Sequence, residues 1–414
     1  MQQDVFESVN TISLKDYQKR EHLLTKIKNR FSTYGYKQIQ TPTFEQYDLY
    51  KTIAGTINSD EMIKVIDPSG KVLVLRPDVT IPITRIVATN KQIPSSEERF
   101  FYISHVFRNS IVQQDKKEHT QAGIENFGPS TPALDAEIIA LAIQTVNDLG
   151  FNNFKLEIGH AGFFKELLKQ INISEQETTQ LKQMIQAKNF SEIKPFLEKL
   201  SINTDVRHSL QQIPFLYGNT EDVMKRAEAV ILNERMNDTL HNLIEVNELL
   251  KIYKLDQFVS FDLGLINHMN YYSDIIFQGF VENFGKPVLM GGRYNHLAEQ
   301  FNTKIPAIGF ACDVDSIFSA MQQQALFPTI ESLVDFHISY SPTTQRDALI
   351  TAQELRERGC SVITHLGNST SNSLASYNVH YEENTISIRD QYNTRLFSNK
   401  DELLQELLQN KEEL

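Results

Sequence analysis

Eight polar side chains fall where the sequence places strand ends or an inner strand face: Asp78, Thr80, Arg108, Gln121, Glu125, Tyr271, Tyr272 and Arg293. Carboxylates pair with an ammonium group, and arginine and tyrosine pair with a carboxylate or phosphate, so the set suits a zwitterionic, amino-acid-like ligand. Gly291 and Gly292 lack a Cβ and let backbone come close to a ligand or a neighbouring strand. Taken singly, each polar residue has a plainer reading: Glu125 as half of a buried ion pair, Tyr271 and Tyr272 as ordinary sheet residues. Other chemistries lack their signatures. There is no Gly-Lys-Ser/Thr phosphate loop, no Gly-x-Gly-x-x-Gly after a first strand and no Gly-x-Ser-x-Gly elbow. His105, His119, His208 and His241 are not at metal-ligand spacing and read as surface or core residues. Cys312 and Cys360 are the only cysteines, each in an apolar strand-like context, and read as buried thiols rather than a disulfide or zinc site. Neither a metal nor a cofactor is called for. The run from Asp115 to Glu118 reads as a solvated loop tip.

These side chains need a sheet to hold them. Apolar positions at helical spacing from Leu14 to Tyr34 predict a helix, followed by a strand at Tyr36 to Gln40. Pro42 opens an extended segment. Asp67-Pro68-Ser69-Gly70 is a turn, and the strand Val72 to Leu75 ends in Arg76-Pro77-Asp78-Val79-Thr80 before a helix, which puts Asp78 and Thr80 at a strand-to-helix corner. Arg99 to Arg108 and His119 to Phe127 read as two long antiparallel strands, and alternation sets Gln121, Gly123 and Glu125 on one face. Buried polar groups on such a face need partners, which a ligand supplies. Leu134 to Leu149 is a helix and Phe154 to Ile158 a strand. From Gly162 to about Leu255 the sequence turns to Leu, Lys, Glu and Gln at helical spacing, broken near Pro195, Pro214 and Gly218, as in an inserted helical subdomain. The sheet resumes with Phe258 to Leu263 and with the stretch from Tyr271 to Ser316. There a hairpin turns at Asn283 to Lys286, a helix follows Arg293, and Ile305 to Cys312 is a buried strand around Gly309. A further helix runs from Asp313 to about Gln324. After a boundary at Phe327 to Thr329, strands and helices from Val334 onward form a small α/β domain.

At 414 residues the chain predicts two or three domains, and 41% hydrophobic with 22% charged residues is the composition of an ordinary globular protein. No apolar stretch approaches the roughly 20 residues of a membrane helix. The opening decapeptide has no hydrophobic signal region, so a cytoplasmic protein with no membrane partner is expected. A net charge of −12 argues against a dedicated nucleic-acid binder.

The ordered series TPTFEQYD, LRPDVTIPITR, RFFYISHVFR, TQAGIENFG, NYYSDIIFQGF and GGRYNHLAEQF with IPAIGFA resembles the histidyl-tRNA synthetase-like branch of the class II synthetases, over residues 14–316. The resemblance implies an α+β fold: an antiparallel sheet flanked by helices, a helical insertion, and a small C-terminal α/β domain similar to a shortened anticodon-binding domain. It divides the chain into a core of residues 1–160 and 257–326, an insertion at 161–256 and a final domain at 333–414. It also implies a self-dimer through the segment around Pro42. Asp78 and Thr80, Gln121 and Glu125, and Tyr271 and Tyr272 match the family's histidine-site motifs, with Tyr102, Arg108 and Tyr294 at further motif positions.

The nucleotide-site positions depart from the synthetase pattern. Ser110 stands where a Glu would hold adenine, and His119 where an aromatic would precede the Gln motif. Asn267-His268-Met269-Asn270 replaces an arginine-bearing stretch before the tyrosines, and Asp315-Ser316 replaces a Glu-Arg clamp on the triphosphate. The amino-acid site is kept while the side chains that would hold ATP are replaced. In this the sequence resembles more closely the non-enzymatic relatives in the family, the regulatory subunits of ATP phosphoribosyltransferase. That resemblance implies assembly with a short catalytic subunit, support of its activity in the first step of histidine biosynthesis, and a part in feedback inhibition by histidine. The final domain has few basic residues after Leu366, whereas anticodon recognition wants basic and aromatic groups on an open face. Two other readings fit the same residues: a histidyl-tRNA synthetase with a divergent ATP site, and a free-standing histidine sensor.

Overall fold

The computed structural model describes residues 13–52, 58–90, 97–109, 116–266, 271–328, 334–367, 375–383, 385–390 and 393–409. The opening decapeptide, Ser110, Asp115, residues 267–270, Thr329 and residues 368–374 lie outside them. The chain divides into two compact units, one of Arg20–Phe327 and one of Pro328–Leu414 with the chain up to Lys19.

Helix α1 (Leu14–Thr33) buries Leu23, Ile27 and Phe31, a spacing of four that lines up one stripe. Strand β1 (Lys37–Gln38) is only two residues long. Beyond Pro42, β2 (Phe44–Gln46), β3 (Lys64–Ile66) and β4 (Val72–Leu75) form a separate antiparallel sheet in the order β2-β4-β3, with the six-residue helix α2 (Tyr47–Thr52) after β2. Helix α3 (Thr80–Thr89) leaves the corner after β4. The long hairpin β5 (Glu98–Phe107) and β6 (Glu118–Phe127) follows, then α4 (Pro132–Asp148) and β7 (Phe154–His160). Thr131 caps α4 by accepting the Leu134 N–H at 3.3 Å, and Pro132 occupies its first turn, where no N–H is required.

The insertion is a set of six helices: α5 (Ala161–Leu168), α6 (Glu175–Gln186), α7 (Phe190–Glu198), α8 (Thr204–Gln212), α9 (Thr220–Glu228) and α10 (Glu234–Ile252), with the two-residue strand β8 (Tyr217–Gly218) before α9. Side-chain caps set several starts: Ser174 with Glu177 closes a capping box on α6, and Asn203, Asn219 and Asn233 cap α8, α9 and α10. Pro195 lies inside α7, and the break comes after Glu198 instead. Strands β9 (Val259–Asp262), β10 (Ile275–Val281), β11 (Leu289–Arg293) and β12 (Ala307–Asp313) and helix α11 (Val314–Gln323) complete this unit. After Arg293 comes a 3₁₀ turn at Leu297–Phe301 rather than a full helix.

The nine-stranded sheet runs β1-β5-β6-β12-β11-β10-β7-β9-β8. Its six central strands, β5 to β7 in that order, are antiparallel as expected, but β1 pairs with β5 and β7 with β9 in parallel, so the sheet is mixed. Alternation splits its faces. Phe101, Ala122, Ile124, Ile275, Phe277, Ile308 and Phe310 join the larger core with α1, α4 and the insertion. Tyr102, Val106, Phe127, Ile276 and Ala307 join a second core that includes Val74, Ile81 and Ile83.

The second unit holds β13 (Val334–Tyr340), α12 (Gln345–Glu357), β14 (Val362–Leu366), β15 (Ala375–Tyr381), β16 (Ile386–Arg389), β17 (Thr394–Phe397) and α13 (Lys400–Gln409). The strands are ordered β14-β13-β15-β16-β17, and Ile338, Ala348, Ala352, Leu355, Val379 and Leu403 are among its core.

One buried ion pair ties helix to sheet. Arg293, with its side chain 1% exposed, has Nε 2.7 Å and Nη2 2.6 Å from Asp135 Oδ1 on α4. Removing one partner of such a pair strands the other charge. Asp135→Ala is therefore expected to lower the unfolding free energy by about 3–5 kcal/mol, read from urea titration of the full chain. A change within about 0.5 kcal/mol, the range of ordinary surface substitutions, would contradict the pair's role.

Candidate functional site: a polar cavity on one sheet face

The register of β6, β12, β11 and β5 builds the site. Glu125 on β6 lies opposite Gly309 on β12, Gly309 opposite Gly292 on β11, and Tyr102 on β5 opposite Gly123 on β6. Each glycine makes room for a large neighbour. A Cβ on Gly309 would overlap Glu125 Oε2, one on Gly123 would stand 2.6 Å from the Tyr102 hydroxyl, and one on Gly292 2.8 Å from Tyr272 Cδ1. The carboxyl and the rings thus lie across a shelf of bare backbone.

The corner between β4 and α3 supplies the opposite wall. Arg76, itself buried, donates from Nε to His105 O and from Nη1 to Thr41 O, both at 2.7 Å, and so fixes the corner. Asp78 Oδ1 accepts the Ile81 N–H at 2.9 Å in the first turn of α3, where a carboxylate also meets the positive end of the helix. Arg108 donates from Nε to Pro77 O at 2.7 Å.

All nine residues singled out in the sequence, Asp78, Thr80, Tyr102, Arg108, Gln121, Glu125, Tyr271, Tyr272 and Tyr294, line one cavity of about 210 Å³. Tyr271 and Tyr272 precede β10 rather than lying in it, with their rings 4.8 Å apart and Tyr271 edge-on to Tyr294. Arg293 is not among the lining residues. Gly292 faces the cavity, so its neighbour must face α4, and there Arg293 pairs with Asp135. Sequence reasoning missed Asp313, although the same alternation through Gly309 and Ala311 on β12 points to it.

Among the described residues no cation touches Glu125. Thr80 Oγ1 donates to its Oε1 at 2.5 Å and the Tyr294 hydroxyl donates to Oε2. Burial pushes its pKa up to about 8, against the pull of those two hydrogen bonds and with the nearby Asp78 charge adding to the rise. Burial also raises Asp78 to about 6, opposed by the Ile81 N–H and by Arg108. Burial keeps the phenols of Tyr102, Tyr271 and Tyr294 well above their ordinary value, hence neutral. Burial thus favours the neutral form of Glu125 more strongly than that of Asp78, which has Arg108 nearby. Asp78 Oδ2 is buried with no hydrogen-bond partner among the described residues. A buried acceptor of this kind is satisfied by a ligand's donor, and an ammonium is the strongest.

At the start of α11 the structure ties up the residues that depart from the synthetase pattern. Burial alone would raise Asp315, but Lys116 at 2.9 Å, the Thr120 N–H at 3.0 Å and Arg20 at 2.8 Å hold its carboxylate below the usual range. Lys116 is thus engaged with Asp315 rather than simply solvated. Ser316 donates its N–H and its hydroxyl to Asp313, the cap of α11, at 3.0 and 2.5 Å. Cys312 is buried in β12 with its thiol pushed up to about 12 by that burial, while Cys360 is half-buried.

A largely antiparallel sheet with a polar cavity on one face, helices on the other and a helical insertion is a class II synthetase-like architecture, and residues 9–317 match the family described as histidyl-tRNA synthetase. The chain is 45% identical over 398 residues to an ATP phosphoribosyltransferase regulatory subunit of Oceanobacillus iheyensis, covering 95% of this chain and 96% of the relative. It is 37% identical to the protein of that name from Acetivibrio thermocellus, over 83% of this chain and 82% of the relative. A solved structure of an ATP phosphoribosyltransferase regulatory subunit/histidyl-tRNA synthetase from Bacillus halodurans C superposes with a TM-score of 0.79 at 26% identity, covering 90% and 96% of the two chains. A histidyl-tRNA synthetase from Nostoc sp. PCC 7120 shares the fold at the same TM-score with 18% identity over 95% and 96%. The chain belongs to the ATP phosphoribosyltransferase regulatory subunits, a non-catalytic branch of the histidyl-tRNA synthetase-like family.

Glu125 and Asp78 both titrate above their ordinary values, so in that range the folded chain binds more protons than the unfolded one. Their contribution to stability is present at low pH and is lost as pH rises towards about 8. Glu125→Gln is therefore expected to gain stability over the wild type from about pH 4.5 to about 8 and to hold level above that. Parallel unfolding curves at every pH would show that Glu125 titrates normally.

Proposed function

We propose that this cavity binds free histidine and that its occupancy regulates a catalytic ATP phosphoribosyltransferase subunit with which the chain assembles. The catalytic partner, in this reading a short subunit active in the first step of histidine biosynthesis, depends on the complex for its activity. The observation that carries the reading is the unpartnered Asp78 Oδ2 in a cavity that also holds Glu125, Arg108 and four tyrosines. Asp78 meets the ammonium, Arg108 the carboxylate, and the neutral Glu125 and tyrosine hydroxyls serve a ring that both donates and accepts hydrogen bonds. For inhibition, histidine must bind one state of the complex more tightly than another, since equal affinity would shift nothing.

Asp315 and Ser316, turned inward onto Arg20, Lys116 and Asp313, speak against a triphosphate clamp and hence against adenylate formation. The reading needs no cofactor and no nucleic-acid partner, and it puts the protein in the cytoplasm. Among the described residues no helix is long and apolar enough to cross a membrane. A self-dimer is supported by the small sheet beyond Pro42, where Phe44, Val65, Ile66 and Val72 are exposed apolar side chains, Ile66 by 74%.

Three measurements test these statements. Glu125→Ala and Tyr272→Ala are each expected to raise the histidine concentration for half-inhibition of the complex by about tenfold or more, with the fold kept. Unchanged inhibition curves in both would place the regulatory histidine elsewhere. Histidine-dependent exchange of pyrophosphate into ATP should stay at background on the purified chain, while phosphoribosyltransferase activity of a candidate catalytic subunit appears only in the mixture. Exchange above background would make the chain a synthetase. Ile66→Glu is expected to shift the chain from dimer to monomer in sedimentation, and an unchanged dimer would remove this sheet from the interface.

A further inference from the structure

The opposite face of the sheet holds a second polar cavity, of about 460 Å³, lined from β7, β11 and helices α4, α5 and α10. We infer that it is a binding site for a phosphate that carries a proton, inorganic phosphate or pyrophosphate. Three donors line it, Arg293 and His160 buried and Lys165 exposed. Arg293 gives Nε to Asp135 and Nη1 to Asn295, but Nη2, although close to the same Asp135 oxygen, has no aligned hydrogen-bond acceptor. Lys165 gives one of its three N–H bonds to Tyr272 O at 2.5 Å. His160 accepts the Gly162 N–H on Nδ1 at 3.1 Å, so its neutral ring carries the proton on Nε2. His160 is also the cap of α5, and the positive end of that eight-residue helix opens on the cavity.

The cavity also holds four carboxylates, and the Asp274 charge acts on both Lys165 and His160. Asp135 is held by Arg293, Asp274 accepts from the Ser273 hydroxyl and the Asn295 amide at 2.7 Å each, and Glu166 is bonded to Lys169 at 2.5 Å. Asp238 is exposed, as are the lining residues Lys169 and Arg235. Among the described residues one acceptor is left over: Asn242 Oδ1 is buried with no hydrogen-bond partner. Donors alone would fit any oxyanion, but this amide oxygen repels a fully deprotonated one and is satisfied by a P–OH. Phosphate keeps a proton at neutral pH and sulfate does not. The arrangement therefore selects phosphate over sulfate, much as a lone buried acceptor rejects any ligand that leaves it unpaired.

The test is calorimetric titration of the full chain with inorganic phosphate, pyrophosphate and sulfate at matched ionic strength. Phosphate or pyrophosphate is expected to bind at least about tenfold more tightly than sulfate, the stronger of the two identifying the source. Lys165→Met should weaken phosphate about ten- to a hundredfold, the range for one charge-assisted hydrogen bond. Asn242→Leu should abolish the preference over sulfate. Equal binding of phosphate and sulfate to the unaltered chain, or no binding of phosphate or pyrophosphate at tens of millimolar, overturns the inference without reference to any variant.

Discussion

A carboxyl group buried in the middle of a sheet, with no cation beside it among the described residues, is the constraint around which this unit is arranged. Glu125 is 2% exposed, and a carboxyl in that position is tolerated only if it is neutral, hydrogen-bonded or both. Its two donors come from distant parts of the chain, Thr80 at the start of α3 and Tyr294 just beyond β11. Gly309 must be bare for the carboxyl to lie flat, and α3 must begin where Asp78 can hold its first turn. The strand register, the corner after β4 and the exit from β11 thus converge on one side chain's need for partners.

Strand β11 serves both faces of the sheet through two consecutive residues. Gly292 supports the polar cavity by its absence of a side chain, and Arg293, pointing the other way, anchors α4. The two faces also meet through backbone. Lys165 of α5 holds the carbonyl of Tyr272, and the Ala161 N–H that begins the same helix donates to the carbonyl of Asp274 at 2.8 Å. The helical insertion therefore grips the short segment that carries the tyrosines. A shift in α5 is felt at Tyr272 without any residue of the cavity being replaced.

Much of this was legible in the sequence, because it depends on local rules. Alternation along β6 put Gln121, Gly123 and Glu125 on one face, and the turn chemistry after Leu75 put Asp78 and Thr80 at a corner. Arg293 was misassigned although the same rule decides it: once Gly292 faces the cavity, the next residue faces away. What stayed hidden was set by distant partners. The parallel pairing of β1 and β7 depends on where the chain returns, not on its pattern. Strand β3 and helix α2 are three and six residues long, too short for a period to show. The engagement of Lys116 and Arg20 with Asp315 joins residues as much as 295 positions apart, and no local pattern announces that.

The nine-stranded sheet ends on β1 at one side and β8 at the other, each a strand of two residues. A strand that short offers an incoming chain almost no ladder of free amides and carbonyls, which is how natural sheets avoid fusing edge to edge. Strand addition onto β1 or β8 is therefore disfavoured. At those two ends a partner meets side-chain surfaces rather than a strand ladder, and the complementarity of such surfaces can be tuned residue by residue.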